Sequence, residues 1–449
     1  MANKNSTKLV YNDVAKKVSQ TIREIRSEFL EKVDHKSIFD FFSNDIYKDT
    51  NIPIDDFLTF LLFNDLITFV LIYDDLDFDI SISSYKLTAL IRKMEEKLVL
   101  NPLPEEIVHL YGILQDLNPD LCSDVFILIE KHNSNRKYYD DDLGEILQSL
   151  LPTKMRKKFA AHFTFSDISR FITQLIPFTI EDKIIDPFVG SGRLLAASLE
   201  EITKYIVNEG IEEEKLDLLI SGIDIFPIST RLAKCQLLIQ LSRKKLMKHQ
   251  KKISLITDDT FRRFKRKDNS LSKFLEDKNV KTGKDVTNYD LVIMNPPYTR
   301  YNLLPKFYRV FLDKRFIQYK TFFGKHAGLH IYAIFLADEL LNDEGRIAAV
   351  LPASIIFSSY SENFKKFLLR KYHIEFIITS ETEKAFSDQS NFREIILICR
   401  KRTLTSKKLK ESELTKFILL KCDVKTAISN IIAQRIIQTK LGEFNPDYH

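Results

Sequence analysis

Residues 291–298 read Leu-Val-Ile-Met-Asn-Pro-Pro-Tyr, so that an apolar run changes abruptly into a polar, proline-rich tetrapeptide. The four apolar residues predict a buried strand of a parallel sheet. The tetrapeptide Asn295–Tyr298 would then lie at the carboxyl end of that strand. Ligands of open α/β sheets bind outside this edge, so we expect the functional site here.

The residue types of the tetrapeptide suit a substrate with a planar amine or carboxamide nitrogen. The side-chain oxygen of Asn295 and the carbonyl of Pro296 could each accept one N–H and stabilise positive charge that grows on the nitrogen. Pro296 and Pro297 fix the backbone and donate no N–H themselves. Tyr298 offers a flat face on which a planar group can stack. A proline turn that simply ends a strand is the alternative interpretation.

An upstream strand ends in an acid and a glycine turn. Residues 183–195 read KIIDPFVGSGRLL, in which Asp186 ends the strand, and Gly190 and Gly192 allow close approach of a ligand. The pattern departs from the dinucleotide fingerprint because residue 195 is leucine. An acid at the strand end would repel a pyrophosphate but suits an ammonium group. The pattern therefore favours S-adenosylmethionine over NAD as the cofactor.

Two further strands end in acids. Asp224, with Ile225 beside it, follows the apolar residues 218–223, and its carboxylate could accept both ribose hydroxyls of a cofactor. Asp259, or alternatively Asp258, follows a third strand and could accept a hydrogen bond from the cofactor's adenine. An ordinary acidic strand end is the alternative interpretation for each.

Basic residues alternate with aromatic residues in two places, after the third strand and after the tetrapeptide. Such interleaving can follow a phosphate backbone and stack on bases, although a solvated loop has the same composition. The candidates for contact with nucleic acid are Arg262, Arg263, Lys265, Arg300 and Tyr301.

The order of strands and helices predicts an α/β fold, namely a Rossmann-like, doubly wound, seven-stranded mixed sheet whose final strands form a hairpin. This is the fold of class I S-adenosylmethionine-dependent methyltransferases. We expect a helical N-terminal domain at 1–150, a catalytic domain at 151–400 and a short helical extension at 401–449.

Composition excludes little. The chain has 449 residues, of which 44% are apolar and 29% charged, and its net charge of +5 permits binding to nucleic acid without requiring it. Its four cysteines lack metal or redox spacing, and Cys235 and Cys399 lie in apolar runs, which indicates buried thiols and a reducing cytoplasm. The apolar stretch 57–73 contains Asn64 and Asp65 and is short for a membrane span, so we expect no membrane association.

Two other kinds of site are disfavoured. His326 and His330 are four residues apart, but no third ligand is evident, so we predict no metal site. Pro119-Asp120 followed by Glu130-Lys131 lacks the Glu-x-Lys spacing of a nuclease and lies in helical surroundings.

Taken in order, the motifs resemble those of the gamma-class N6-adenine DNA methyltransferases, especially the methylase modules of type I and type II restriction-modification systems. The similarity covers roughly residues 140–400. It rests on a helix-start motif at 161–167, the strand-end acids and glycines, Asn295–Tyr298, and a block at 329–352.

The resemblance implies methyl transfer from S-adenosylmethionine to the N6 amine of an adenine flipped out of double-stranded DNA. Asn295 and Pro296 would bind the amine, and Tyr298 would stack on the base. The residues implied for the cofactor are Phe163, Thr164, Asp186, Phe188, Gly190, Gly192, Asp224 and Asp259.

This chain departs from the family pattern at three places. The helix-start motif usually reads Gly-x-x-x-Thr-Pro, but Ala160 or Ala161 replaces the glycine and Phe165 the proline. His330 stands where the family often has aspartate. Residues 401–449 are too few for a target-recognition domain, so we expect a separate specificity subunit. An RNA or protein-glutamine methylase, and a methylase-like subunit without turnover, are the alternatives.

Overall fold

The computed structural model describes the larger part of the chain after residue 165 and separate segments before it. The described residues are 16–24, 54–72, 86–120, 123, 166–212, 216–264, 288–323, 328–358, 361–381, 386, 393–403, 414–429 and 432–438. Contacts divide the chain into two units. The first comprises Met1–Ala160, Gly190–Gly192 and Phe226–Ile253, and the second comprises Ala161–Val189, Arg193–Ile225 and Ser254–His449.

Helices and strands alternate through most of the described chain. The helices are α1 (Ile54–Ile72), α2 (Leu87–Leu98), α3 (Glu105–Leu117), α4 (Ser166–Gln174), α5 (Arg193–Glu209), α6 (Pro227–Arg243), α7 (Thr260–Arg263), α8 (Lys306–Arg315), α9 (Leu329–Leu340), α10 (Ser354–Phe357), α11 (Glu362–Lys371), α12 (Val424–Ser429) and α13 (Ile432–Gln438). The strands are β1 (Lys183–Asp186), β2 (Leu219–Asp224), β3 (Ile253–Thr257), β4 (Tyr289–Met294), β5 (Leu341–Pro352), β6 (Tyr372–Ser380), β7 (Glu394–Lys401) and β8 (Lys416–Leu420). Residues 16–24 are also helical.

The described N-terminal region is helical, as the sequence predicts. In α2 the buried residues include Leu87, Leu90, Ile91, Met94 and Leu98, which recur at the three- and four-residue spacing of one helix face. The third helix begins after a proline and has two acids in its first turn, where the helix dipole favours negative charge. Local sequence and burial therefore agree in this region.

A buried ion cluster holds three helices of the first unit together. Arg231 of α6 is fully buried, and its guanidinium nitrogens lie 2.8 Å from Asp65 of α1 and 2.8 Å from Glu95 of α2. It also donates to the backbone carbonyl of Asn101. Burial alone would lower the pKa of Arg231, but the charge of Asp65 raises it above its ordinary value. The arginine therefore stays charged in the core.

The apolar stretch 57–73 lies largely within α1. The side chains of Leu61, Phe63 and Ile67 are buried there. Among the helices that the structure describes, none is both long enough and apolar enough to cross a membrane.

The second unit is built on a mixed sheet with the strand order β3-β2-β1-β4-β5-β7-β6-β8. The first strand runs parallel to both β2 and β4, and β4 runs parallel to β5. The seventh strand is antiparallel to β5 and β6 and lies between them. The predicted doubly wound α/β fold and its final hairpin are confirmed.

The central strands are buried along almost their whole length. Residues 291–294 of β4 and 395–399 of β7 are at most 3% exposed. Continuous apolar runs, rather than alternating ones, are what a sheet covered on both faces requires. The core of the second unit therefore lies along these strands, and the carboxyl end of β4 and the amino end of β7 lie at the same edge of the sheet.

The sheet has eight strands, one more than the seven expected. The additional strand, β8, lies within 401–449, where only helix was predicted, and pairs in parallel with β6 from Phe376↔Lys416 to Ser380↔Leu420. Its exposure alternates, and Phe417 is 73% exposed. Five residues that follow a lysine-rich stretch give a weak strand pattern, which explains the omission. Helices α12 and α13 match the predicted helical segment 424–438.

Candidate active site

Three polar residues are brought together by the register of the parallel strands. Ile184 pairs with Leu291 and Asp186 pairs with Gly222, so β1, β2 and β4 end at the same edge of the sheet. Asp186, Asp224 and Asn295 lie at this edge and are 1%, 8% and 4% exposed. The strand order thus places at one edge three strand ends that the sequence indicated separately.

The two acids at this edge concentrate negative charge. Asp186 Oδ1 accepts a hydrogen bond from the Phe188 N–H at 3.0 Å. Burial raises the pKa of Asp186 well above its ordinary value; the Phe188 N–H opposes this, and the charge of Asp224 adds to it. A cationic or hydroxyl-bearing ligand would stabilise such carboxylates.

The glycine turn adopts the left-handed backbone expected of it. Gly190 has φ of 51° and Gly192 has φ of 80°. A Cβ on Gly192 would lie 2.8 Å from the Cα of Ala233, so this glycine is required by packing on α6 as well as by φ. Gly222, which the sequence did not single out, is closely packed as well, because its Cβ would lie 2.6 Å from a methyl group of Leu255.

The loop after β1 packs on the helix that follows β3. The rings of Phe188 and Phe261 are 5.4 Å apart between centroids. The Thr260 hydroxyl donates to the Pro187 carbonyl at 2.6 Å. Phe188 and Ile225 are each half-buried, so both keep an apolar surface at the edge where Asp186 and Asp224 end.

Both acids after β3 are engaged by arginine. Asp259 caps α7 by accepting from the Phe261 N–H at 3.0 Å, and its Oδ2 lies 3.3 Å from Arg262 Nε. Asp258 lies 3.2 Å from Arg263. Burial raises the pKa of Asp259, while a hydrogen bond from Tyr308 and the charge of Arg262 oppose the rise. The Asp258 side chain is 36% exposed and that of Asp259 11%, so Asp258 is the more accessible.

The tetrapeptide after β4 forms a buried polar cluster. The Tyr298 hydroxyl donates to Asn295 Oδ1 at 2.9 Å and lies 3.2 Å from the Val350 carbonyl of β5. Pro296 and Pro297 are buried. Burial raises the pKa of Tyr298 well above its ordinary value, and the charge of Glu394 adds to the rise. The phenol therefore stays protonated and acts as a donor that orients the Asn295 side chain.

Glu394 belongs to this buried polar cluster, and sequence reasoning missed it. It begins β7, is 5% exposed and interacts with the Tyr298 phenol. Its only sequence signal is an acid at the start of an apolar strand. The antiparallel register that pairs it with Pro352, and so brings it to the same edge, cannot be read from the chain.

A basic–aromatic surface, defined here as Arg262, Arg300, Tyr301 and Arg309, surrounds α8. The Arg262 guanidinium lies 5.5 Å from the ring centroids of Tyr308 and of Phe311, two residues of α8. Arg309, also on α8, lies 5.7 Å from the ring centroid of Tyr301. Arg300 is exposed.

The remaining nucleic-acid candidates differ from this surface. The side chain of Arg263 is 18% exposed and paired with Asp258, which leaves less of it available than of Arg262, whose side chain is 46% exposed. Lys265 lies outside the described residues, as do Phe163, Thr164, His326 and Glu130. Within the described ranges, no group of His, Cys, Asp or Glu could hold a metal ion.

The sheet order and the polar strand ends together define the fold of class I S-adenosylmethionine-dependent methyltransferases. Residues 219–386 match the Eco57I restriction-modification methylase family. That segment includes Asp224, Asp259 and Asn295–Tyr298, and it confirms the resemblance to restriction-modification methylases inferred from the motifs. The match covers less than half of the chain. No curated protein matches it.

Solved structures of restriction enzymes share the fold. The DrdV–DNA complex has a TM-score of 0.56 at 14% identity over 98% of this chain and 45% of that one. A nuclease-deletion mutant of the type ISP enzyme LlaGI, in complex with a DNA substrate mimic, has a TM-score of 0.55 at 16% identity over 97% of this chain and 43% of that one. The type IIG endonuclease BpuSI has a TM-score of 0.51 at 17% identity over 88% of this chain and 42% of that one. The chain thus spans less than half the length of each.

Proposed function

We propose that the chain transfers a methyl group from S-adenosylmethionine to the N6 amino group of adenine in DNA, as the modification component of a restriction-modification system. The observation that carries the proposal is the placement of Asn295, 4% exposed, at the edge where the acids of β1 and β2 also end. The restriction-modification methylase match over 219–386 supports it.

The donor set at this edge fits the cofactor. Asp186 and Asp224 would bind its amino-acid ammonium and its ribose hydroxyls, and the half-buried Phe188 and Ile225 would contact its apolar parts. Asp186 is 1% exposed, burial raises its pKa, and a cationic ligand would stabilise its carboxylate. When bound, S-adenosylmethionine supplies an electrophilic methyl group. Asp259 or Asp258 would receive its adenine.

The chain's own residues would activate the target amine. An exocyclic adenine amine is a weak nucleophile because its lone pair is delocalised into the ring. Asn295 Oδ1 and the Pro296 carbonyl would each accept one N–H, which stabilises positive charge on the nitrogen. Because an amide oxygen has two lone pairs, Oδ1 can accept from the substrate while the Tyr298 hydroxyl continues to hold it. No general base is needed until the methylated nitrogen loses its extra proton.

DNA would reach this pocket through base flipping, because the N6 amine is paired and stacked in a duplex. Tyr298 would stack on the flipped adenine, and the basic–aromatic surface would contact the phosphate backbone. The solved relatives DrdV and LlaGI were determined with DNA or a DNA mimic. We propose that a separate specificity subunit reads the sequence.

The test is transfer of tritiated methyl from S-adenosylmethionine to genomic DNA and, in parallel, to total RNA. Wild type and Asn295→Ala are compared, with and without any co-encoded specificity protein. Loss of one preorganised acceptor is expected to lower the rate about 10²- to 10³-fold. Cofactor affinity, measured by calorimetry, should be unchanged because Asn295 is assigned to the target amine and not to the cofactor.

Asn342→Ala is the matched control. Asn342 bonds Asp290 Oδ1 at 2.7 Å at the amino end of β4, so this change weakens the same sheet at the opposite edge. Asn342→Ala should methylate DNA normally. If label enters RNA and not DNA, the substrate is RNA and the proposed DNA substrate is wrong. Equal labelling by wild type and Asn295→Ala would remove Asn295 from the chemistry.

A further inference from the structure

His330 lies beside the proposed base-stacking residue. It is the second residue of α9, and the N–H of Leu329 donates to the carbonyl of Thr299 at 3.0 Å. Thr299 directly follows Tyr298, so this bond fixes the start of the helix against the tetrapeptide. The rings of His330 and Tyr298 meet edge to face, with centroids 6.1 Å apart and planes at 88°. The imidazole therefore packs against the tetrapeptide.

The His330 side chain is buried without a hydrogen-bond partner. It is 6% exposed, and neither Nδ1 nor Nε2 has a partner among the described residues. Burial lowers the pKa of His330 to about 4, so the ring is neutral at pH 7. A neutral imidazole carries one N–H donor and one acceptor nitrogen. Leaving both unmet in a protein interior is unfavourable, and such groups point to an absent ligand.

The neighbouring glycine makes room for this ring. A Cβ on Gly328 would lie 2.6 Å from Cε1 and 2.7 Å from Nδ1 of His330. Any larger residue at 328 would push the imidazole out of its place, so the backbone is shaped around it. His330 is thus held close to Tyr298 by a hydrogen-bonded helix start and a glycine that leaves no spare space.

We infer that His330 donates its N–H to a ring nitrogen of the target adenine and so helps to select the base. This rests on the proposed function. If Asn295 and Pro296 accept both N6 protons, the features that remain beside the amine are N1 and N7, which are both acceptors. Guanine carries a donor at N1 and a carbonyl in place of the amine. A neutral imidazole donor beside the stacked base therefore suits adenine.

The experiment removes the acceptor from the base and the donor from the protein, singly and together. The methylated sequence is first located by sequencing genomic DNA after reaction with the full chain, together with its specificity protein if one is needed. Duplexes are then made with adenine, 1-deazaadenine or 7-deazaadenine at the target position. His330→Phe keeps a ring without an N–H, and His330→Asn keeps a donor.

Wild type should lose about tenfold in kcat/KM on one of the two deaza analogues, the size expected for one buried hydrogen bond. His330→Phe should be about tenfold slower on adenine and lose nothing further on that analogue. His330→Asn should recover part of the loss. The melting temperature of His330→Phe should equal or exceed that of wild type, since an unmet polar group has been removed.

Three results would overturn the inference. The first is that His330→Phe methylates adenine as fast as wild type does. The second is that His330→Phe loses the same factor as wild type on both analogues. A fall in melting temperature that accompanies the loss in both His330 variants would assign the residue to structure alone. A wild type that fails to methylate the unmodified duplex would reject the proposed function itself, which separates the two failures.

Discussion

Two buried polar clusters in this chain differ in whether the protein completes them. Around Arg231, the positive charge has Asp65 and Glu95 each within 2.8 Å. At the carboxyl edge of the sheet, Asp186 instead lies near a second negative charge, that of Asp224. Burial raises the pKa of both Asp65 and Asp186, but the charge of Arg231 opposes the rise at Asp65, whereas the charge of Asp224 adds to it at Asp186. The difference teaches that the first cluster is structural, whereas the second is built to receive something.

The free-energy cost of burial explains why the distinction is informative. Charges taken out of water require opposite charges and hydrogen bonds, and a core that provides them gains a unique arrangement of its helices. Natural sequences depart from this rule mainly at functional sites. His330 and Asp186 are such departures, and both lie in the second unit with Asn295.

The largest expected effect is on the completed cluster. Arg231→Met leaves Asp65 buried without a counter-charge, although Glu95 keeps Arg92 at 2.6 Å, and should lower the free energy of unfolding by about 3–5 kcal/mol. Urea unfolding followed by circular dichroism measures it. The control Lys204→Met removes only surface pairs with Glu200 and Glu201, since Lys204 is 44% exposed, and should cost about 0–1 kcal/mol. Equal effects of the two variants would show that the Arg231 cluster is not structural.

The next effect concerns cofactor binding at the open site. Asp224→Ala should weaken S-adenosylmethionine affinity by about 1–3 kcal/mol, because a charged acceptor for the ribose hydroxyls is lost. Calorimetry measures the affinity directly. Asp290→Ala is the control, because Asp290 accepts from the Lys183 N–H at 2.9 Å at the amino ends of the same strands. If Asp224→Ala binds the cofactor as wild type does, Asp224 does not belong to the site.

The smallest effect has the opposite sign. Because the folded-state pKa of Asp186 is raised above 3.8, the folded protein binds more protons, and stability falls as pH rises above that value. Asp186→Asn removes this loss of stability at higher pH and keeps an acceptor for the Phe188 N–H. Without cofactor, it should be more stable than wild type at pH 7 by at least about 1 kcal/mol.

This gain should shrink as pH falls and disappear below pH 3.8, where Asp186 becomes protonated in both the folded and the unfolded wild type. Melting temperatures of wild type and Asp186→Asn between about pH 3 and pH 8 test it, and cofactor affinity should fall in the same variant. A variant less stable than wild type at pH 7 would place Asp186 among completed structural groups like Arg231.

Sequence reasoning succeeded where local pattern determines position. The run 291–294 predicted β4, and the apolar runs before Asp186, Asp224 and Asn295 predicted that each of them follows a strand. Sequence reasoning could not predict contacts between residues that are distant in the chain. Asp65 and Glu95 precede Arg231 by 166 and 136 residues, and no motif joins them. Glu394 reaches the pocket only through the inserted antiparallel β7.

Local pairing also changed how two predicted residues are interpreted. Arg262 and Arg263 were selected as basic residues among aromatics, but they pair with Asp259 and Asp258, three and five positions before them. His330 was weighed only as half of a metal pair. Its significance depends on the absence of hydrogen-bond partners within the described residues, which a sequence does not reveal.

The most direct test of the central claim is nucleoside analysis of the methylated product. DNA labelled by the wild type is digested, and the labelled nucleoside is identified by chromatography and mass spectrometry. We predict N6-methyl-2′-deoxyadenosine, reduced at least about 100-fold when Asn295→Ala replaces the wild type. Label in N4-methylcytosine or 5-methylcytosine, or undiminished N6-methyladenine from Asn295→Ala, would contradict the account.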